Sequence, residues 1–329
     1  MSSPDVPNSI MARLPPNLAS LFTQALKSYQ LSSATFRVLC SLPPSSTAEK
    51  LVPQPPPVPP KSVLILDSSF NPPTLAHQRM ALSALSDNVP AEAQISRKSR
   101  ILLLLAINNA DKAPKPAAFP QRLAMMYIFA QDLLSAAAGQ KSACGGVDIA
   151  VTTEPYFHAK AAAITADAFF RGTPSPSSSS PSSLSSGPGA EGEAGVPEQI
   201  FLTGFDTLIR IFDPKYYPAG SMAAVLDPFF AHARLRVTMR PDAEWGDAAD
   251  QRRYLAELKE GGLESVGGRT AWVERIEMRE GRGEGEEVVS STKVRGAVLR
   301  KDWDALRALV SEGVAGWIRD EGLYAEGGA

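Results

Sequence analysis

Short apolar runs alternate with helical stretches between residues 61 and 276 of this 329-residue chain. The runs are typical of buried strands, and they cover Val63–Leu66, Ile101–Ile107, Ile149–Val151, Ile200–Thr203, Leu235–Met239 and Trp272–Ile276. The stretches between them predict helices over Thr74–Ser86, Gln121–Ala138, Lys160–Phe170, Asp206–Phe212 and Asp247–Lys259. Fully apolar strands that alternate with helices indicate a parallel sheet covered on both faces. We therefore predict a doubly wound, Rossmann-like α/β fold.

Residues 17 to 42 predict one more helix and one more strand ahead of this alternation. Leu18, Phe22 and Leu26 lie at helical spacing within Asn17–Gln30, and Thr35–Leu42 has the composition of a strand. We expect both elements to pack on the main domain. On this basis residues 1–60 form an N-terminal extension, and residues 61–329 form one globular domain.

Two segments, Pro43–Pro60 and Gly172–Pro197, contain nearly half of the 28 prolines. Such sequence buries too little apolar surface to offset the entropy lost on ordering. We interpret the first as a linker within the extension. The second, at about residues 172–197, is interpreted as a disordered Ser/Pro-rich insertion in one loop. Both are candidate docking segments for protein partners.

Composition changes this picture mainly by exclusion. A hydrophobic fraction of 44 % is ample for a core, and a net charge of −2 leaves no global basic field for nucleic acid. Cys40 and Cys144 are too few for a disulfide framework or a zinc site, and no metal site is predicted. No apolar run approaches the roughly 18 residues that cross a membrane.

The expected location is cytoplasmic, nuclear or both. The N-terminal residues lack a basic segment followed by an apolar one, which argues against secretion. A mitochondrial presequence stays open, because Asp5 is the single acidic residue of the first 48. The sequence does not predict an oligomeric state.

The first candidate site directly follows the first core strand. Ser69-Phe70-Asn71-Pro72-Pro73-Thr74 leads into a helix whose N-terminus faces the carboxyl end of the sheet, where α/β proteins bind ligands. Free N–H groups and the helix dipole attract phosphate there. Thr74 and His77, three residues apart, share one face of the first turn, and both can donate to phosphate oxygens. A capped helix with a histidine packed on the sheet is an equal alternative.

A second helix start lies in Ser290-Ser291-Thr292-Lys293-Val294-Arg295. Three hydroxyl residues precede an apolar series, which is typical of a helix N-terminus. Lys293 and Arg295 then fall in the first turn, where the helix dipole disfavours cations by roughly 0.3–1 kcal/mol each. A bound anion would reverse this penalty; a solvated basic turn is the alternative. Two such helix starts in one α/β domain favour a polyphosphate ligand.

Both segments resemble signatures of the nicotinamide mononucleotide adenylyltransferase family, which belongs to the nucleotidylyltransferase superfamily. Ser69–His77 is similar to the family's Gly-Ser-Phe-Asn-Pro-x-Thr-x-x-His, and Ser290–Arg295 to its Ile-Ser-Ser-Thr-x-x-Arg. Gly204-Phe205-Asp206 looks like its Gly-x-Asp motif. Phe119–Met125 resembles its His-Arg-x-x-Met helix, with Gln121 in place of the histidine. The N-terminal extension and the amino-acid sequence of residues 204–217 look most like the divergent fungal branch of this family.

The resemblance implies adenylyl transfer from ATP to nicotinamide mononucleotide (NMN), giving NAD⁺ and pyrophosphate in NAD biosynthesis. The attacking phosphate is already an anion, so positioning and charge stabilisation suffice. The catalytic residues so implied are His77, Thr74 and Arg295. The implied ATP-binding residues are Ser69, Phe70, Asn71, His77, Ser291, Thr292, Arg295, Gly204 and Asp206. Mg²⁺ is expected to arrive on the triphosphate of ATP.

The resemblance also implies the acceptor-binding residues Lys112, Arg122, Tyr216 and Tyr217. Lys112 matches a family lysine that reaches a phosphate, and one tyrosine would stack on the nicotinamide ring. A solvated lysine and simply packed tyrosines are the alternatives. Asp206 would accept hydrogen bonds from a ribose; its alternative role is to cap the following helix.

Two positions depart from the family pattern. Ser68 stands where the family usually has glycine, and Ala76 stands where the wider superfamily has glycine. A side chain at Ser68 narrows the approach of a phosphate to the backbone, unless its hydroxyl is itself a donor. Two other functions stay open: the same chemistry on another phosphomonoester, such as a phosphopantetheine, flavin or cytidylyl substrate, or a non-catalytic nucleotide-binding or interaction protein.

Overall fold

The computed structural model describes residues 14–44, 51–87, 98–108, 116–140, 144–172, 196–240, 245–281 and 288–325. Lys112 and all but the ends of the predicted Ser/Pro-rich insertion lie outside the described residues. Part of the Pro-rich linker, residues 51–60, is described.

Within these residues, one seven-stranded sheet has the order β1-β4-β3-β2-β5-β6-β7. Its strands are β1 (Phe36–Leu42), β2 (Ser62–Asp67), β3 (Ser99–Ala106), β4 (Cys144–Thr152), β5 (Glu198–Gly204), β6 (Ala233–Thr238) and β7 (Ile276–Arg279). β1 pairs antiparallel with β4, and all other neighbouring strands are parallel. The prediction of a doubly wound α/β fold is confirmed, with an antiparallel edge strand that the apolar pattern did not predict.

Helices cover both faces of the sheet. The described residues form α1 (Leu18–Gln30), α2 (Leu75–Asp87), α3 (Phe119–Gly139), α4 (Phe157–Ala166), α5 (Phe205–Ile211), α6 (Met222–His232), α7 (Ala248–Glu257), α8 (Leu263–Ser265), α9 (Ser291–Leu299), α10 (Trp303–Leu309) and α11 (Glu312–Asp320). Leu64 and Leu66 of β2 pack with α1, α2, α3 and α9 to α11. Val63 and Ile65, on the opposite face, pack with α4 to α6. Among the described helices, none is long and apolar enough to span a membrane.

The N-terminal helix and strand contact the rest of the protein closely. Phe22 and Tyr29 of α1 are buried in the core, and the Phe22 ring meets the Tyr127 ring of α3 edge-on at 6.4 Å. The linker continues this packing, because the Ser41 N–H donates to Val52 O at 3.1 Å. The division of the chain at residue 60 stays a prediction, but α1 and β1 share the hydrophobic core of the sheet.

The predicted strand Trp272–Ile276 is wrong over most of its length. Residues Thr270–Arg275 form a 3₁₀ helix, and β7 begins only at Ile276. The indole of Trp272 stacks on Phe230 at 5.3 Å and on Phe212 at 6.3 Å. The apolar run therefore closes the core beside the sheet instead of entering it.

Several helix boundaries also differ from the predictions. The helix predicted over Lys160–Phe170 is α4, which begins at Phe157 and ends at Ala166. α5 begins at Phe205 with Gly204 as its N-cap, so the alternative role of Asp206 as that cap is wrong. α6, α10 and α11 were not predicted.

Candidate active site

A cavity of ≈ 350 Å³ opens at the carboxyl end of the sheet. The chain leaves β2 toward β3 and β4, then crosses back to β5 on the other side of β2. Ligands of open α/β sheets bind at such a switch point. The ends of β2, β5 and β6 and the N-termini of α2 and α9 line the cavity. Its lining includes the predicted site residues Thr74, His77, Gly204, Asp206 and Ser291.

His77 bonds to neighbours through both ring nitrogens. Its Nδ1 accepts from the Thr74 backbone N–H at 3.0 Å and lies 2.9 Å from Thr74 Oγ1. The side chain thus caps α2, as the third residue of a capping box does. Nε2 lies 3.0 Å from Ser68 Oγ. Burial lowers the pKa of His77 from 6.5 to about 4, so the ring is neutral at pH 7.

The loop before α2 is held by residues distant in the sequence. Phe70 is fully buried, with a φ of 43° that is uncommon for a residue other than glycine. Its ring lies 5.5 Å from that of His77. The hydroxyl of Tyr324 donates to Asn71 Oδ1 at 2.8 Å. This loop supports the site without lining the cavity, because the lining does not include Ser69, Phe70 or Asn71.

The second motif reaches back to this loop. Ser290 caps α9, which begins at Ser291. The Ser291 hydroxyl donates to Pro72 O at 2.8 Å, and Arg295 Nη1 donates to Asn71 O at 2.8 Å. The structure thus joins two segments that are more than 200 residues apart.

Arg295 and Thr292 do not line the cavity. Arg295 Nη2 donates to Thr292 Oγ1 at 3.2 Å, so its bonds to described residues lie within the two motifs. A guanidinium has five N–H donors, and these contacts use two. Arg295 therefore lies beside the loop and not inside the cavity.

Arg122 lies near the same loop. Its Nε donates to Ala117 O at 2.8 Å, and Nη1 lies 3.5 Å from Ser69 O. Its buried Nη2 has no hydrogen-bond partner among the described residues. Burial lowers the pKa of Arg122; Tyr324 opposes this effect, and the positive charge of Arg295 adds to it. Two guanidinium groups that repel each other in this way would be stabilised by a nearby anion.

Gly204 and Asp206 meet closely at the end of β5. A Cβ atom on Gly204 would lie 2.6 Å from Asp206 Oδ1, so a side chain there would displace the carboxylate. Asp206 lies in the first turn of α5, where the helix dipole favours a negative charge. The structure therefore places this carboxylate at the cavity, beside a position where the small size of glycine leaves room for it.

Tyr216 and Tyr217 do not line the cavity. They belong to an aromatic group near the N-terminus of α4, where Tyr156 stacks on His158 at 5.7 Å. Tyr216 lies 6.5 Å from Tyr156, and Tyr217 lies 6.2 Å from His158. The Tyr217 hydroxyl donates to Ile211 O at 2.6 Å, which holds that ring in place. Tyr216 has the greater freedom to contact a ligand.

Sequence reasoning missed four charged residues at the site. Asp67, the last residue of β2, lines the cavity and accepts a 2.5 Å hydrogen bond from Lys160 Nζ of α4. The two side chains are only 8 % and 6 % exposed. Arg79 and Arg240 also line the cavity. Asp67 and Arg240 could have been predicted from the sequence, because each lies at or just after the carboxyl end of a strand. No local pattern links Asp67 to Lys160.

The donors of the site suit a metal ion that arrives with its ligand. The cavity lining contains the carboxylates of Asp67 and Asp206. Within the described residues, no group of three or more His, Cys, Asp or Glu side chains could hold a metal ion. Two carboxylates are too few for an all-protein cage, and Mg²⁺ held by so few protein ligands keeps waters and takes its other oxygens from substrate phosphates.

Comparison with known proteins gives one relative of high coverage. No family model matches the chain. A Schizosaccharomyces pombe protein named "Putative nicotinamide mononucleotide adenylyltransferase" is 30 % identical over 259 residues, which cover 79 % of this chain and 84 % of that protein.

Two solved structures are more distantly similar. Plasmodium falciparum nicotinic acid mononucleotide adenylyltransferase complexed with NaAD is 13 % identical, with a TM-score of 0.41 and coverage of 80 % of this chain and 97 % of that one. A Vibrio parahaemolyticus protein titled "Putative Nicotinate-nucleotide Adenylyltransferase" is 14 % identical, with a TM-score of 0.33 and coverage of 81 % and 96 %. At these scores neither structure adds to the argument. On the identity and coverage of the S. pombe relative, the chain belongs to the nicotinamide mononucleotide adenylyltransferase family.

Proposed function

We propose that this protein transfers the adenylyl group of ATP to NMN, giving NAD⁺ and pyrophosphate. The observation that carries the proposal is the convergence of two helix N-termini at one switch-point cavity. Ser291 and Arg295 of α9 bond directly to the loop that leads into α2. Helix N-termini bind phosphate groups, and a pair of them suits a triphosphate.

In the proposed mechanism, the NMN phosphate attacks the α-phosphorus of ATP while pyrophosphate leaves. No general base is needed, because the nucleophile is an anion, and catalysis is positioning plus charge stabilisation. Thr74 and His77, at the start of α2, stabilise the charge that develops at the α-phosphorus. Ser291, Thr292 and Arg295 hold the β- and γ-phosphates that become pyrophosphate.

The remaining ATP contacts follow from the shape of the site. Ser69, Phe70 and Asn71 form the loop that positions the start of α2, and Gly204 allows the Asp206 carboxylate to accept hydrogen bonds from a ribose. Arg295 donates to Asn71 O and to Thr292 Oγ1, and its remaining N–H groups are proposed to reach the phosphates. Mg²⁺ bound to ATP would supply additional positive charge there.

The acceptor is proposed to bind beside the aromatic group at α4. Tyr216 is the better candidate to stack on the nicotinamide ring, because Tyr217 is held by Ile211 O. The buried, unpartnered Nη2 of Arg122 and the basic residue Lys112 are proposed to bind acceptor phosphate. NMN is proposed over its acid form because the S. pombe relative is named for NMN.

Turnover with purified full-length protein tests this proposal. Protein, ATP and Mg²⁺ are mixed separately with NMN, with nicotinic acid mononucleotide and with a phosphopantetheine or flavin phosphomonoester, and pyrophosphate and dinucleotide are measured. NAD⁺ formed fastest from NMN supports the proposal. Preference for another acceptor would reassign the substrate, and ATP binding without turnover on any acceptor would contradict catalysis.

His77→Ala gives the first mutational prediction. Turnover should fall at least about 100-fold, because the variant loses part of the hydrogen-bond network that stabilises the transition state at the start of α2. The free energy of unfolding should fall by only about 1 kcal/mol, because the variant loses one helix cap. Denaturant unfolding and steady-state kinetics measure the two effects; a large stability loss with normal turnover per folded molecule would make His77 a structural residue.

A further inference from the structure

The hydrogen bonds of His77 determine which ring nitrogen carries its proton. A backbone N–H can only donate, so the 3.0 Å contact from Thr74 N requires an unprotonated Nδ1. The ring is neutral at pH 7 because burial lowers the pKa of His77 to about 4. A neutral imidazole with an unprotonated Nδ1 carries its proton on Nε2. Nε2–H therefore donates to Ser68 Oγ across 3.0 Å.

Ser68 consequently has a hydroxyl proton left to donate. Its Oγ accepts from His77, and its backbone N–H donates to Leu104 O at 3.3 Å. Within the part of the chain that the structure describes, the Ser68 hydroxyl has no acceptor, and the residue lines the cavity. A serine hydroxyl offers one donor and two acceptor lone pairs. The unused donor suits an anionic oxygen of a ligand.

The side chain at position 68 determines what the imidazole can contact. A glycine there would leave the Nε2–H of His77 open to the cavity. In this protein the serine hydroxyl lies within bonding distance of Nε2 and occupies its N–H. A phosphate could bond to His77 directly only by displacing Ser68.

We propose that the Ser68 hydroxyl, and not the imidazole of His77, donates the hydrogen bond to a phosphate oxygen of the bound nucleotide. His77 is then the residue that positions Ser68. This inference rests on the proposed function and refines the first motif, in which Thr74 and His77 were both expected to contact phosphate.

The arrangement has a clear physical benefit. The hydrogen bond from His77 orients Ser68 Oγ and polarises its O–H, since hydrogen bonds in a chain strengthen one another. The main-chain bond to Leu104 holds Ser68 at the end of β2, so the donor is preorganised. Positive charge comes from other residues of the cavity lining, including Arg79 and Arg240, and not from the neutral imidazole.

Four variants test the proposal in the full-length protein: Ser68→Ala, Ser68→Thr, Ser68→Gly and the double variant Ser68→Ala/His77→Ala. Affinity for a non-hydrolysable ATP analogue with Mg²⁺ is measured by calorimetry, and kcat/KM for ATP by turnover. Ser68→Ala should lower both about 10- to 100-fold, as expected for loss of a hydrogen bond to a charged group. Ser68→Thr keeps the hydroxyl and should stay within about 5-fold of wild type.

The double variant distinguishes two arrangements: His77 acts on the phosphate through Ser68, or His77 and Ser68 each donate to the phosphate independently. If His77 acts through Ser68, Ser68→Ala/His77→Ala should be no more than about 3-fold worse than His77→Ala alone, because coupled residues are non-additive. Ser135→Ala is the matched control, since Ser135 is exposed on α3 and its hydroxyl donates to Gln131 O of the same helix at 3.0 Å.

Three results would overturn the proposal. They are wild-type affinity in Ser68→Ala, affinity in Ser68→Gly equal to or above wild type, and a double-variant loss equal to the product of the single losses. Absence of dinucleotide formation by wild type would contradict the proposed function but leave the binding measurement intact. Failure of wild type to bind the analogue would overturn both.

Discussion

Two buried ion pairs lie at opposite ends of the parallel strands and use their charges differently. Near the amino end of β3, Arg100 pairs with Asp148 of β4 at 2.6 Å. At the carboxyl end of β2, Asp67 pairs with Lys160 of α4 at 2.5 Å. Both pairs are almost completely hidden from solvent, and Asp67 of the second pair lines the switch-point cavity, whose lining does not include Arg100 or Asp148.

The difference lies in how fully each carboxylate is bonded. Asp148 accepts from Arg100 Nε and Nη2 at 2.8 and 2.6 Å and from the Ser41 hydroxyl at 2.6 Å. Ser41 in turn accepts from the N–H of Gln54 in the linker at 3.0 Å. The amino-end pair thus ties β1 and the linker to the sheet and has little capacity left for a ligand.

Asp67 accepts a single side-chain hydrogen bond within the described residues, the one from Lys160. An unpaired carboxylate there would repel a triphosphate, so Lys160 keeps this part of the cavity compatible with an anion. The comparison shows that burial and distance alone do not distinguish a structural ion pair from one that serves a site. The remaining bonding capacity and the adjoining cavity do.

Breaking the amino-end pair should have the largest effect on stability. Arg100→Met leaves Asp148 buried without its partner, which should lower the free energy of unfolding by about 3–5 kcal/mol. Urea unfolding measures this loss. Turnover per folded molecule should not change, because the pair lies away from the cavity. Arg307→Met, which breaks an exposed pair with Asp304, is the control and should cost at most about 1 kcal/mol; a similar small loss in Arg100→Met would contradict the structural role.

Acid should have the second-largest effect on stability, through His77 at the carboxyl end of the strands. The pKa of His77 is about 4 in the folded protein and 6.5 in its unperturbed state, so the unfolded chain binds this proton first. Through this difference, the free energy of unfolding should stay unchanged above pH 6.5 and should fall by about 3 kcal/mol as the pH falls to 4.

His77→Gln supplies the comparison for this pH effect, because its amide oxygen can still accept from Thr74 N–H. Burial also lowers the pKa of His158, so His158 contributes to the slope in both proteins. The difference between wild type and His77→Gln isolates His77. Equal pH slopes in the two proteins would show that the imidazole is not held neutral.

Lys160→Met should have the smallest stability effect and a distinct effect on binding. Cavity water can solvate Asp67, so we expect a loss of about 1–3 kcal/mol. ATP affinity should fall about 10-fold, because an uncompensated carboxylate then faces the phosphates. The double variant Asp67→Asn/Lys160→Met should recover this affinity. Lys259→Met, at an exposed pair with Glu274, is the control; unchanged affinity in Lys160→Met would make the two buried pairs equivalent.

The parts of the molecule that sequence predicted well are those set by local patterns. Strand β2, the start of α2 and the start of α9 follow from short apolar runs and hydroxyl caps, and these elements carry both motifs. The misassigned run at Trp272 is a case in which tertiary packing prevailed, because its indole stacks on Phe212 and Phe230. The direction of an edge strand such as β1 is not encoded in its own apolar pattern.

The contacts that sequence could not predict join residues far apart. Asp67 and Lys160 are separated by 93 positions, and Ser291 and Pro72 by 219. The hydrogen bond from His77 to Ser68 depends on how the chain turns between β2 and α2. The sequence places both residues near the site, but only the hydrogen-bond geometry assigns the proton of the His77 ring to Nε2.

A crystal structure of the full-length protein with a non-hydrolysable ATP analogue and Mg²⁺ tests the central claim most directly. The account predicts the triphosphate between the N-termini of α2 and α9, in contact with the Ser68 hydroxyl and the Ser291 turn. An analogue bound away from the switch point, or one that leaves the start of α9 without a phosphate contact, would contradict it.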